Sequence, residues 1–160
     1  MGRDLRVPLS FVLPQGWETG DPDVVGVPEA AFVARYPDDD RGFHPTIVVA
    51  DVVPEPGEDL PSVAARSVET LARHGDVRVV DSSVVSPGEV SAFRQLLLLT
   101  TPAAGELRDL VQDQVYLDVA DPRTGFRAVV RIVLTVGRDQ RDVVTGDFAS
   151  FVRSFRADWT

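Results

Sequence analysis

The sequence predicts an α+β fold: a single twisted antiparallel β-sheet of about six to eight strands, flanked by two main helices at roughly 59–74 and 143–155. Three observations carry that prediction. Four strand-like runs, joined by short turns that hold Pro and Gly, fill residues 77–136. Two other segments place apolar residues at three- and four-residue spacing, the period of a helix with one buried face. The N-terminal segment alternates apolar and polar residues one by one, the period of a strand.

Leu5, Val7, Leu9, Phe11 and Leu13 fall on one face of that first strand, with Arg6, Pro8, Ser10 and Val12 on the other. Pro8 and Pro14 point to an edge position, since proline gives a sheet ladder no N–H. "PQGW" then turns the chain and places Trp17 just after the bend. "AAFVARY" and "TIVVADVV" read as the next two strands, and between them lies "RYPDDDRGFHP". Strand, Asp- and Gly-bearing tract, strand is the pattern of a hairpin. Asp38, Asp39 and Asp40 are adjacent and diverge from one another, without the alternate-residue ligands of a calcium loop. They are expected to form the solvated acidic tip of the hairpin and, with Tyr116 and Arg131, a candidate interaction surface.

In "PEPGEDLPSVAARSVETLARHG", Leu60, Val63, Ala64, Val68, Leu71 and Ala72 form the apolar stripe of a helix. Asp59 is its expected N-cap, Pro61 suits the first turn, and Gly75 fits a left-handed C′ position. His74 falls in the last turn, where its partial charge would meet the helix dipole. "VRVVDSSVV", "VSAFRQLLLLTT", "LVQDQVYLDVA" and "FRAVVRIVLTV" follow as strands, the first two joined by "SPGE", a Pro–Gly turn signal. A loop over Pro122–Gly125 pairs Asp121 with Phe126, Val119 with Ala128, Leu117 with Val130 and Val115 with Ile132. That register lines one face of both strands with apolar residues and sets Tyr116 opposite Arg131 as a cation–π pair. Asp113 is the exception on the apolar face. It reads as a residue near the strand's beginning, where the face is not yet covered, or as a general acid or base in an apolar pocket. Val144, Phe148, Phe151, Val152 and Phe155 give the closing helix an aromatic inner face.

A length of 160 residues with no linker or repeat predicts one domain over 1–160. The 44% hydrophobic and 26% charged residues are ordinary for a folded globular chain. The net charge of −9, with every cation an arginine and none clustered, argues against nucleic acid as a partner. Without cysteine or lysine there are no disulfides, thiolate metal sites, cysteine nucleophiles or Schiff-base lysines. No apolar run reaches the ~18 residues of a membrane span, and the reading is a cytoplasmic protein, exported only if a leader was removed. No G-x-S-x-G, H-E-x-x-H, G-x-G-x-x-G or Walker pattern is present. No catalytic residue, cofactor or metal is therefore expected.

The segments "FVLPQGWE", "LPSVAARSVETLARH", "LVQDQVYLDV" and "FASFVRSFR", in that order, resemble the PsbP-like superfamily. Its members include an extrinsic photosystem II subunit, a Ran-binding nuclear import factor, and LpqN-type and effector-chaperone proteins of bacteria. The resemblance implies an α/β/α sandwich used as an adaptor or binding surface, and it carries over no catalytic residues. The chain lacks the lipobox cysteine of the lipoproteins. The expected function is a non-enzymatic protein-binding, adaptor or chaperone-like module whose partner presents a basic surface, acting as a monomer or as a homodimer through a sheet edge. The alternatives are a small-ligand carrier with an apolar pocket between the sheet and the C-terminal helix, and a carboxylate hydrolase using Asp113.

Overall fold

A computed structural model describes residues 5–24, 26–37, 43–85, 90–103 and 105–157 of the chain. In order they form β1 (Leu9–Ser10), β2 (Glu18–Gly20), β3 (Phe32–Arg35), β4 (Thr46–Val52), α1 (Leu60–Ala72), β5 (Asp76–Val85), β6 (Ser91–Ala103), β7 (Glu106–Ala120), β8 (Arg127–Gly137), α2 (Arg141–Arg153) and β9 (Arg156–Ala157). Seven strands make one antiparallel sheet in the order β2-β3-β4-β8-β7-β6-β5. β1 and β9 pair as a separate two-stranded ribbon. The order has one long-range step. β4 lies beside β8, so the chain must cross from the middle of the sheet to the β5 edge, and α1 is the segment that carries it across.

The β7–β8 hairpin has the register that its polarity pattern requires. Asp121 donates its N–H to the Phe126 carbonyl at 2.8 Å, and Val119–Ala128, Leu117–Val130 and Val115–Ile132 are paired. Gly125 stands at φ +75°, a conformation that favours glycine. β3 and β4 form the early hairpin, closed at its described end by Tyr36 N–H to the Pro45 carbonyl at 2.9 Å. The acidic tract Asp38, Asp39 and Asp40 lies outside the described residues, as does the "SPG" of the turn after β5.

Alternation gives the sheet two unlike faces. Val111, Val115, Leu117 and Val119 of β7 join Ala128, Val130, Ile132, Leu134 and Val136 of β8 on one side, beneath Val144, Phe148, Phe151 and Val152 of α2. Tyr116 of β7 and Val129 of β8 look the other way, under Leu60, Val63 and Ala64 of α1. Leu97, Leu99 and Leu110 extend that second layer toward Val68 and Leu71 of α1. The two helices therefore cover opposite faces, in an α/β/α arrangement. Among the described residues no helix is long and apolar enough to cross a membrane.

Several local expectations are corrected. The N-terminal alternation is real, with Val7 buried and Leu5, Leu9, Phe11 and Leu13 packed on the main core. Yet only Leu9–Ser10 is a strand, and it pairs with the chain's own C-terminal Arg156–Ala157 rather than with an edge of the large sheet. The prolines limit the ladder, while the apolar side chains still bury. Asp59 does cap α1, its Oδ1 accepting from the Ser62 N–H at 2.9 Å. The helix ends at Ala72, so His74 lies beyond its last turn, and Ala72 is exposed. Gly75 is not left-handed. It is needed for proximity instead, because a Cβ there would stand 2.4 Å from the Thr100 carbonyl oxygen. α2 runs over Arg141–Arg153 rather than 143–155, leaving Phe155 outside the helix. Phe155 is nonetheless buried, its ring 4.8 Å from Phe11 and 5.1 Å from Phe151.

Candidate functional site

The α2 side of the sheet centre is sealed: Ile47 and Val49 of β4 and Val130 and Ile132 of β8 have no exposed surface. On the reverse of those strands α1 stops short. Its packing lies mainly on β5, β6 and β7, with Val129 of β8 and Val52 of β4 meeting only its N-terminal end, and the neighbouring stretch of β8 and β4 opens into a groove of about 430 Å³. Gln112, Gln114, Tyr116, Arg131, Val133, Thr135, Thr46 and Val48 floor it, Arg66, Ser67 and Thr70 of α1 form one wall, and Val27 and Glu29 form the other. A second hollow of about 350 Å³ over β2 and β3 shares Val27, Thr46 and Val48 with it. The two together cross five strands, or about 19 Å at the spacing of a sheet.

The floor is polar because the sequence "QDQVY" puts Gln112, Gln114 and Tyr116 on one face, two residues apart. Tyr116 is fully buried and donates its hydroxyl proton to Gln114 Oε1 at 2.9 Å. The same oxygen accepts from Gln95 Nε2 at 2.7 Å, and Gln95 also donates to the Ala64 carbonyl of α1 at 3.1 Å. Gln114 Nε2 donates to Gln112 Oε1 at 2.8 Å and to Ser67 Oγ at 3.2 Å. This network ties α1 to the sheet through satisfied amides. Burial pushes the Tyr116 hydroxyl pKa above its ordinary value, against the opposing pull of Arg131. Tyr116 and Arg131 are cross-strand partners, as the register requires. The cation over a ring among the described residues is instead Arg6 on Phe126, at 5.3 Å.

The cations of the groove differ in how they are neutralised. Arg66 meets Glu58 through Nε and Nη2 at 2.8 and 2.7 Å, and this hydrogen bonding holds the Glu58 carboxyl below its ordinary value. Arg35 pairs with Glu18 at 3.5 Å at the far end. Arg131 has no carboxylate partner among the described residues, and its buried Nε has no acceptor.

Asp113 lies on the opposite face, in the middle of β7 rather than near its beginning, and it is 6% exposed. The face is covered there, and the reason an acid survives is Arg94 of β6. Its Nε and Nη2 bind Asp113 Oδ1 and Oδ2 at 2.7 and 2.6 Å. Both carboxylate oxygens accept from one guanidinium fork, a two-point charge-assisted pair. A hollow of about 370 Å³ adjoins this pair, lined also by Val85, Val115, Thr145, Phe148, Ala149, Val152 and Arg153. It falls between the sheet and α2, where an apolar pocket was expected, but Phe151 and Phe155 do not line it. Among the described residues no three His, Asp or Glu side chains are grouped to hold a metal ion.

Sequence reasoning paired Tyr116 with Arg131 but missed Gln95, Gln112, Gln114 and Ser67. The signal was the polar spacing 112, 114, 116 on a strand whose other face is apolar. Gln95 and Ser67 reach the network only through tertiary packing. Arg94 reaches Asp113 only through the β6–β7 pairing, which places it beside Val115 and next to Asp113 on the same face.

No protein-family model and no curated protein matches the chain. The fold itself is shared with solved structures, and it is the PsbP/Mog1 fold. LpqN of Mycobacterium tuberculosis, described as involved in cell envelope biogenesis, is 14% identical with a TM-score of 0.63, over 97% of this chain and 87% of that one. The cyanobacterial PsbP of Synechocystis sp. PCC 6803 is 15% identical with a TM-score of 0.59, over 94% and 86%. The Ran-binding protein Mog1p of Saccharomyces cerevisiae is 12% identical with a TM-score of 0.57, over 93% and 89%.

Proposed function

We propose that this protein is a non-enzymatic binding module that receives a protein partner on the open face of its sheet, beside α1. The observation carrying this reading is the asymmetry of β4 and β8, which are sealed beneath α2 and open to a polar, strand-crossing groove on the other side. A broad floor of amides and hydroxyls suits recognition of a surface more than turnover of a small molecule. That Mog1p, with the same fold, is described as Ran-binding supports a protein as the partner class. The net charge of −9 favours a partner whose wider surface is basic, through long-range steering.

The test starts from affinity capture in an extract of the native host, followed by direct titration with the purified partner. Thr135→Arg, which fills the groove floor, is expected to weaken binding about tenfold or more. Thr124→Arg, in the β7–β8 loop, is the control and should leave it unchanged. A partner that binds both variants equally places recognition elsewhere and ends this reading.

The hollow beside Phe148 and Val152 favours a second reading, a carrier of a small amphiphile whose anionic end meets Arg153. Native mass spectrometry of protein purified without detergent tests it, and only bare protein counts against it. For the hydrolase reading, Asp113→Asn that leaves any detected ester or phosphate hydrolysis unchanged removes Asp113.

A further inference from the structure

We infer that Arg131 is the anchor of the groove, and that it binds a side-chain carboxylate from an extended segment of the partner protein; this rests on the groove being the partner site. Arg131 is half-buried at the centre of the sheet, between Ala50 of β4 and Tyr116 of β7. Ala50 and Tyr116 are 2% and 0% exposed, so the guanidinium rises from a dry surround into the groove.

A cation in such a position ordinarily has its own acid, and three other half-buried arginines among the described residues follow that rule. Arg66 has Glu58, Arg94 has Asp113 and Arg127 has Asp118, each at 2.7 Å or less. In a chain carrying 25 acidic residues against 16 cations, Arg131 has no carboxylate at ion-pair distance among the described residues, and its side chain meets the neutral Tyr116 hydroxyl. Its buried Nε lacks an acceptor among the described residues. A half-desolvated guanidinium without a counter-ion is unfavourable for folding, and an incoming carboxylate relieves that cost through charge-assisted, two-point hydrogen bonds. Further along the strands from Arg131, the row Gln112 of β7, Thr135 of β8 and Thr46 of β4 offers an amide and hydroxyls to a main chain laid across it. A partner that is basic over its wider surface fits the net charge, and one acid within its docking segment fits Arg131.

The probe is a pair of fluorescent peptide pools, each twelve residues long, N-acetylated and C-amidated, with neutral residues at random around a central Glu or a central Gln. A third pool carries the central Gln with a free C-terminal carboxylate. By fluorescence anisotropy, the Glu pool is expected to bind about tenfold more tightly than the Gln pool. Arg131→Met should erase that difference while keeping the circular dichroism spectrum and an equal or higher melting temperature. If Met at this position does not fold, Arg131→Gln replaces it with the same expectation. Arg131→Lys keeps the charge without the fork and should give an intermediate preference. Equal binding of the Glu and Gln pools, or a preference that survives Arg131→Met, overturns the anchor. A preference for the free-terminus pool over the central-Glu pool also overturns it, by assigning Arg131 to a chain end. If the captured partner is still weakened by Thr135→Arg in any of those cases, the groove stands and only the anchor falls; if Thr135→Arg is also silent, both fall.

Discussion

Glycine shows at single-residue scale how the same side chain can be required or merely tolerated. Gly75 has no room for a methyl group, since its Cβ would meet a backbone oxygen rather than a yielding side chain. Gly75→Ala is expected to destabilise the protein by about 1–3 kcal/mol in denaturant melts. Gly146, exposed in the interior of α2, has nothing within 4 Å of its Cβ direction. Gly146→Ala should stabilise by about 0.5–1 kcal/mol, because alanine surrenders less backbone entropy in a helix. The two substitutions are chemically identical and opposite in sign, so melting both decides whether local space or intrinsic propensity governs each site. Phe151 tests the core itself: it has no exposed surface and its ring meets Phe11 at 5.2 Å. Phe151→Ala is expected to cost about 3–5 kcal/mol. Sequence periodicity identified Phe151 as buried, whereas the reason for Gly75 lay in a strand some 25 residues away along the chain.

Caps and edges act at the scale of the element. Hydrogen bonds from Ser62 hold the Asp59 carboxyl below its ordinary value of 3.8. A carboxyl whose folded pKa is lowered stabilises the protein above its unfolded pKa, and that contribution is lost as pH falls through the folded value. Asp59→Asn keeps an N-capping acceptor but removes the titration. The variant should therefore lose less stability than the wild type between about pH 5 and pH 2, measured by urea melts across that range. Asp51 works in the opposite sense, since burial holds its carboxyl above the ordinary value and disfavours its charged form. The helix and its cap were legible because capping is a local event among neighbouring residues. The end of α2 was misread because Phe155 keeps the apolar spacing of the helix after the backbone has left it. A buried ring in a following turn produces the same spacing as a ring in the helix, so periodicity alone does not separate them.

At the scale of the whole molecule, the first and last described segments are joined. β1 pairs with β9, Val12 N–H donates to Ser154 Oγ at 2.9 Å, and Trp17 Nε1 donates to Asp147 Oδ2 of α2 at 3.1 Å. The central strands β7 and β8 are mostly buried, half-open only at groove positions such as Gln112, Arg131 and Thr135, while β2 is exposed throughout and β5 nearly so. Native-state hydrogen exchange is expected to be slowest in β7 and β8 and fastest in β2 and the β1–β9 ribbon. Uniform protection across all nine strands would contradict that gradient.

Side-chain polarity by itself determined the fold class, the two helices, the β7–β8 register and the burial of the N-terminal apolar face. Each of these follows from interactions among residues close in sequence, or from a pattern that repeats every two or about 3.6 positions. Only the tertiary structure decided that β1 closes on β9, that β4 lies against β8, and that Asp113 is held by Arg94. It also decided that α1 leaves one face of the sheet open around Arg131. Those outcomes depend on where a crossing helix lands and which distant strand lies beside which. Such contacts join residues far apart in the chain, and no local period records them.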